Sequence, residues 1–156
     1  MSRAAALHGS CPGNPPMRPD TQLPSGVDAL MAPRNVVLVG ASDRPGHWSG
    51  RVWQNLRRFG FPGKVYAVNP NRPDIWGEPC YPGLGDLPEA PDHLAIFVPA
   101  ETTLQVLEEG AGQGARSATL FAAGFGEGGD PEGRARGRRL KEILTRTWGS
   151  STRNSM

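Results

Sequence analysis

Gly40-Ala41-Ser42-Asp43-Arg44-Pro45-Gly46 follow the apolar run Val36-Val37-Leu38-Val39 and precede a helical pattern that begins at Trp48. A buried strand, a turn of small residues and a helix start, in that order, bring backbone N–H groups to the positive end of a helix dipole. That junction favours phosphate. Ser42 suits a phosphate contact or a cap on the helix. No catalytic set stands out elsewhere. Cys80 has no base paired with it and reads as a small apolar filler. His8, His47 and His93 are scattered, and no CxxC or Cys/His cluster suggests a metal. The chain is expected to bind a nucleotide-like cofactor, with no catalytic residue and no metal site of its own.

The elements that position the loop follow from periodicity. Residues 35–39 predict a strand. Val52, Leu56 and Phe59 recur at i, i+4 and i+7 and predict a helix over 48–59, ended by Gly60. Residues 64–68 predict a second strand, stopped by Asn69-Pro70. Residues 69–91 read as irregular, with one extended piece at 79–81. The wholly apolar 94–98 predicts a strand covered on both faces. A helix over 102–110, a strand over 117–122, a flexible loop over 124–129 and a helix over 131–147 complete the chain. Strands alternating with helices predict an α/β fold: a single Rossmann-like domain, a parallel sheet with flanking helices. The loops at 40–47, 69–73, 99–101 and 122–129 all follow strands, and are expected to converge on one crevice.

Bulk properties set limits. The chain has 156 residues, which suits one domain. A net charge of +2 gives no electrostatic case for nucleic acid. The basic run Arg134, Arg136, Arg138, Arg139, Lys141 lacks interleaved aromatics and reads as a solvated helix face. Cys11 and Cys80 lie too far apart for a disulfide framework. No apolar run approaches the ~18 residues of a membrane helix. Residues 1–33 are rich in proline and read as a disordered extension of a cytoplasmic protein. Arg3 and Arg18 with no acid before Asp20 leave an organelle transit peptide open. The domain is expected over 34–147, with a tail over 148–156. Trp53 is expected to pack, and Trp48 to sit over the crevice.

The end of the second strand bears on which cofactor. Dinucleotide-binding dehydrogenases use G-x-G-x-x-G and an acid roughly 20 residues on, which holds the ribose hydroxyls. Here the middle glycine is replaced, the loop is longer, and Asn69-Pro70-Asn71-Arg72 stand where the acid belongs. A neutral and basic strand end points away from NAD and toward a phosphorylated ribose, that of NADP or coenzyme A.

Val39 to Gly46 resembles the opening of the CoA-binding domain of NDP-forming acyl-CoA synthetases, whose relatives include succinyl-CoA synthetase α-subunits. Val65-Tyr66-Ala67-Val68-Asn69-Pro70 is similar to that family's second strand. Gly77-Glu78-Pro79-Cys80-Tyr81-Pro82, Leu87-Pro88-Glu89-Ala90-Pro91, Phe97-Val98-Pro99-Ala100 and Ala122-Ala123-Gly124-Phe125-Gly126-Glu127 continue the pattern. Together they span about residues 34–130.

The resemblance implies that Gly40, Ala41, Ser42, Asp43, Arg44, Pro45 and Gly46 hold the CoA phosphates through backbone N–H groups. It implies that Asn69 and Arg72 lie near the adenosine-side phosphates. It implies that Val98 and Pro99 line the pantetheine channel, and that Ala122, Ala123 and Gly124 lie near the thiol end. The implied parent activity is acid–thiol ligation coupled to nucleoside diphosphate phosphorylation, through an acyl phosphate and a phosphohistidine. The phosphohistidine domain and the nucleotide-grasp module have no counterpart in this sequence. The chain is therefore expected to be a truncated or split part that holds CoA or acyl-CoA, with a partner chain supplying the rest. Two alternatives stay open: a stand-alone CoA-binding regulator and an NADP-binding oxidoreductase fragment.

Overall fold

Val36, Val37, Leu38 and Val39 are all buried, as the central strand of a sheet covered on both faces requires. In this computed structural model, which describes residues 25–148, the chain runs α1 (Ser25–Met31), β1 (Asn35–Val39), α2 (Trp48–Arg58), β2 (Lys64–Val68), β3 (Asp74–Ile75), β4 (Glu78–Tyr81), a 3-10 turn (Leu84–Asp86), β5 (His93–Ile96), α3 (Ala100–Gly112), β6 (Ser117–Leu120) and α4 (Pro131–Thr147). The sheet order is β3-β4-β2-β1-β5-β6. Every neighbouring pair is parallel except β3–β4. Leu38 pairs with Ala67 on one side and Ala95 on the other. The chain leaves β1 toward β2 and later returns to β5 on β1's opposite edge. The carboxyl ends of β1, β2 and β5 therefore form a topological switch point, where such sheets bind ligands.

Alternation along β1 divides the core. Val37 and Val39 pack with Leu94, Ile96, Leu104, Leu107 and Ile143 on the side of α3 and α4. Val36 and Leu38 pack with Ala67, Ile75, Cys80 and Ala95, under Val52, Trp53 and Leu56 of α2. Gly110 lets α3 lie close to the sheet, since a Cβ there would stand 2.4 Å from Leu94 Cδ1. At the opposite end from the crevice, the fully buried Asp92 accepts from Arg34 N at 2.7 Å and from Arg116 Nε at 2.6 Å. The Asn35 amide ties the same end down, accepting from Asp92 N at 2.8 Å.

The α/β architecture expected from the sequence is the one observed, with differences at its margins. Residues 69–91 are not irregular throughout: β3 and β4 form a hairpin turned by Trp76 (φ +54°) and Gly77 (φ +78°). β5 and β6 end two residues early. Phe97 N still donates to Val39 O at 2.8 Å, but Pro99 has no N–H to extend the ladder and instead starts α3. Residues 25–31, read as tail, form α1; Ala29 is fully buried and its carbonyl accepts from Ser117 Oγ at 2.9 Å. Trp148, also read as tail, donates through Nε1 to Ala115 O at 2.6 Å. The rest of the expected tails, 1–24 and 149–156, lies outside the described residues, as do His8 and Cys11.

Candidate functional site

Gly40 ends β1 in a left-handed conformation (φ +81°) that glycine adopts without strain. A Cβ there would lie 2.7 Å from Val98 Cγ1 and 3.2 Å from the Phe97 carbonyl carbon. The loop after β1 is thus pressed against the end of β5. Gly40 N and Ala41 N donate to Val68 O at 2.9 and 3.2 Å, which presses it against the end of β2 as well.

These bonds narrow the set of N–H groups left for a phosphate. Gly40 and Ala41 spend theirs on Val68. Ser42 N donates to Ser49 Oγ at 3.0 Å, and Arg44 N donates to Ser42 Oγ at 3.3 Å. Among the described residues, the N–H groups of Asp43 and Gly46 have no protein partner. Asp43, Arg44, Pro45 and Gly46 are exposed at the tip, while Ala41 is buried beneath it. Ser42 does not cap α2. His47 does, its ring Nδ1 accepting from Ser49 N at 3.3 Å. The buried Ser49 was not evident from the sequence as a site residue; it fixes the loop from inside. The only local signal is a serine two residues past the histidine at the helix start.

Asn69, at the end of β2, donates through Nδ2 to Ala41 O at 2.8 Å, and its Oδ1 accepts from Asn71 N at 2.9 Å. This holds the two post-strand turns together. Arg72 reaches across from the second turn to the first and meets Asp43 Oδ1 at 2.9 Å, both side chains being about half exposed.

Between these turns and α3 opens a crevice of about 440 Å³. Gly40, Val68, Leu84, Val98 and Val106 give it apolar walls, with Asn69 at its edge. Its volume and mixture of apolar walls and few polar groups suit a small organic ligand. Of the expected contacts, Gly40, Asn69 and Val98 line the crevice, and Asp43 and Arg72 stand at the adjacent loop tips. Pro99 does not line it; it precedes α3, its carbonyl accepting from Thr103 N (2.9 Å) and Thr103 Oγ1 (3.0 Å).

Ala122, Ala123 and Gly124 do not line it either. They follow β6, and a Cβ on Gly124 would lie 3.6 Å from Ala100 Cβ, at the α3 start. The loop there is closed by Glu127, whose carboxylate accepts from Gly124 N at 2.7 Å and Phe125 N at 2.6 Å. Its own N–H and that of Gly124 hold this carboxyl below its ordinary range. Cys80 is buried, and burial pushes its thiol up, which leaves it a poor nucleophile.

Trp48 is exposed and does not line the crevice. It stacks with Phe121 at 6.3 Å, and Phe121 stacks with Phe97 at 4.5 Å. Trp53 packs as expected, 5.1 Å from Trp76. A second concavity of about 330 Å³ lies on the α2 side of the sheet, lined by Leu30, Met31, Leu56 and Phe121 among others. It is apolar and has no phosphate loop. Among the described residues, no group of three or more His, Cys, Asp or Glu is placed to hold a metal, and no helix is long and apolar enough to cross a membrane.

A mostly parallel sheet with a glycine loop, a helix start and an apolar crevice at its switch point defines a Rossmann-like α/β domain. Residues 34–146 match the family model described as CoA binding domain, and the chain belongs to that family. It is 38% identical over 114 residues to acetate–CoA ligase [ADP-forming] II of Archaeoglobus fulgidus, covering 73% of this chain and 17% of the relative. It is 34% identical to acetate–CoA ligase [ADP-forming] I subunit alpha of Pyrococcus furiosus, covering 78% of this chain and 26% of that one. Among solved structures, the apo form of the dinucleotide forming acetyl-coenzyme A synthetase 1 of Candidatus Korarchaeum cryptofilum superposes with a TM-score of 0.67 at 30% identity, covering 80% of this chain and 26% of that one. The chain thus spans between 17% and 26% of the length of these relatives.

Proposed function

We propose that this domain binds coenzyme A or an acyl-CoA in the crevice between β2, β5 and α3, as the CoA-holding part of an ADP-forming acyl-CoA synthetase. The observation that carries this reading is Arg72, set beside the loop after β1 at the switch point, with no acid at the end of β2. A phosphorylated adenosine ribose, that of CoA or NADP, finds a cation there, whereas the free diol of NAD finds no acid at the strand end; the match to the CoA binding domain family favours CoA over NADP. Asn69 is no substitute, because both ends of its amide are committed to backbone groups.

In this reading the adenosine end lies toward Asn69, Asn71 and Arg72. The N–H groups of Asp43 and Gly46 and the start of α2 receive phosphate, and Val98 and Val106 flank the chain leading to the thiol. The domain orients CoA and excludes water from one side. Acyl activation and phosphoryl transfer fall to a partner chain carrying the remaining synthetase domains. The relative named as subunit alpha supports such a division. We place this work in the cytoplasm.

Thermal melting tests the reading. CoA at about one hundred times its dissociation constant adds about 2.7 kcal/mol to stability, which raises the melting temperature by on the order of 10 °C in a domain of this size. A shift with NADPH and none with CoA refutes the reading in favour of an oxidoreductase fragment.

A further inference from the structure

Asp43 is an unexpected residue to find in a loop that receives phosphate. It places a negative charge beside the start of α2, where the helix dipole and the unpartnered N–H groups of Asp43 and Gly46 favour an incoming anion. Its position is explained by its partner among the described residues. Asp43 Oδ1 meets Arg72 Nη2 at 2.9 Å, across 29 residues of sequence and between the turns that follow neighbouring strands. The contact is a single end-on bond rather than the two-point fork that holds arginine–carboxylate pairs most firmly. Both side chains are about half exposed, at 48% for Arg72 and 45% for Asp43. Solvent and solutes therefore reach the pair directly, and it is weak enough to exchange.

We infer that Asp43 is an internal counter-anion for Arg72, occupying in the empty domain the position that a phosphate on the adenosine ribose takes when the ligand enters. This rests on the CoA reading above and adds a specificity-determining residue to it. A phosphate dianion reaching Arg72 must replace the carboxylate, because two anions at one guanidinium repel each other. Asp43 thereby lowers the affinity for a ligand with the ribose phosphate more than for one without it. It sets how strongly the crevice prefers CoA over dephospho-CoA.

The test is calorimetric titration of the full chain, its D43N and R72A variants and the double variant, each with CoA and with dephospho-CoA. Asn keeps the shape of Asp and an acceptor oxygen, and both positions are exposed, so the fold is retained; melting curves check this. D43N is expected to bind CoA about three- to fivefold more tightly, the range open to an exposed ion pair. Its affinity for dephospho-CoA, which keeps the diphosphate but lacks the ribose phosphate, rises by a smaller factor. The excess of the CoA gain over the dephospho-CoA gain disappears in the R72A background, as it must if the two residues act on each other, and it shrinks at high salt. Equal or weaker CoA binding by D43N overturns the inference and makes Asp43 a support for Arg72 instead. If the parent chain binds CoA and D43N shows no gain, this inference alone fails. If the parent chain does not bind CoA, the underlying reading fails with it.

Discussion

The Asn69 side-chain amide donates to the Ala41 carbonyl at 2.8 Å, joining the turn after β2 to the loop after β1. The same side chain accepts from Asn71 N at 2.9 Å and so shapes the turn that presents Arg72. One residue therefore sets the relative position of two parts of the crevice. Asn69→Ala removes both bonds and leaves the Ala41 carbonyl unpaired. The expected costs are about 1–2 kcal/mol of stability and roughly tenfold in CoA affinity. Chemical denaturation and calorimetry read the two effects separately. Full affinity in the variant would show that the turns hold their places without Asn69.

Two glycines should separate binding from folding. Gly40→Ala forces a side chain into φ +81° and against Val98 Cγ1, 2.7 Å from the new Cβ. The strain and the contact together should cost about 2–4 kcal/mol and abolish CoA binding, because the loop must leave its seat on β5. Gly110→Ala pushes a methyl to within 2.4 Å of Leu94 Cδ1, in the core beneath α3. It should cost a similar ~1–3 kcal/mol and leave CoA affinity within about twofold while the domain stays folded. Urea melts paired with binding measurements on both variants decide. Loss of binding in the Gly110 variant at temperatures where it is folded would contradict this division.

Acid sensitivity should trace to Asp92. The Arg116 guanidinium, helped by the Arg34 N–H and opposed by burial, lowers its carboxyl from 3.8 to about 2 in the folded protein. A carboxyl with a depressed folded value contributes stability above its unfolded value and loses it as pH falls. The contribution, on the order of 2 kcal/mol, is therefore complete above about pH 5 and is lost progressively as pH falls from there through the folded value near 2. Asp92→Asn should flatten this limb of the stability–pH curve. It should also destabilise the domain at neutral pH, because Arg116 loses a buried counter-charge. An unchanged acid limb in that variant would assign the effect elsewhere.

The parts of the molecule legible in the sequence are those whose signal is local and repeated. β1, β2 and α4 keep the expected bounds because a β-branched run, an Asn-Pro stop and a proline suited to the first helical turn, Pro131, are read within a few residues. The turn between β1 and α2 was legible from the change of pattern at Gly40. The β3–β4 hairpin was not, because its turn uses Trp76 in a conformation that a tryptophan rarely adopts. α1 was hidden for another reason. Its buried Ala29 is held by Ser117, 88 positions away, and no short window contains both. Within the site, the glycine position and Arg72 followed from residue type. The roles of Ser49 and His47 depend on hydrogen bonds that spacing does not reveal. The loop at 122–129 was expected at the crevice because it follows a strand, yet residues 122–124 do not line it, and Gly124 lies against Ala100.

The central claim is that this crevice recognises CoA by its phosphorylated adenosine. Parallel calorimetric titrations of the unmodified chain with CoA, dephospho-CoA and NADPH test it most directly. The account predicts that CoA binds, that dephospho-CoA binds more weakly because Arg72 loses its phosphate, and that NADPH gives no comparable heat. NADPH binding without a response to CoA, or equal binding of CoA and dephospho-CoA, would contradict it.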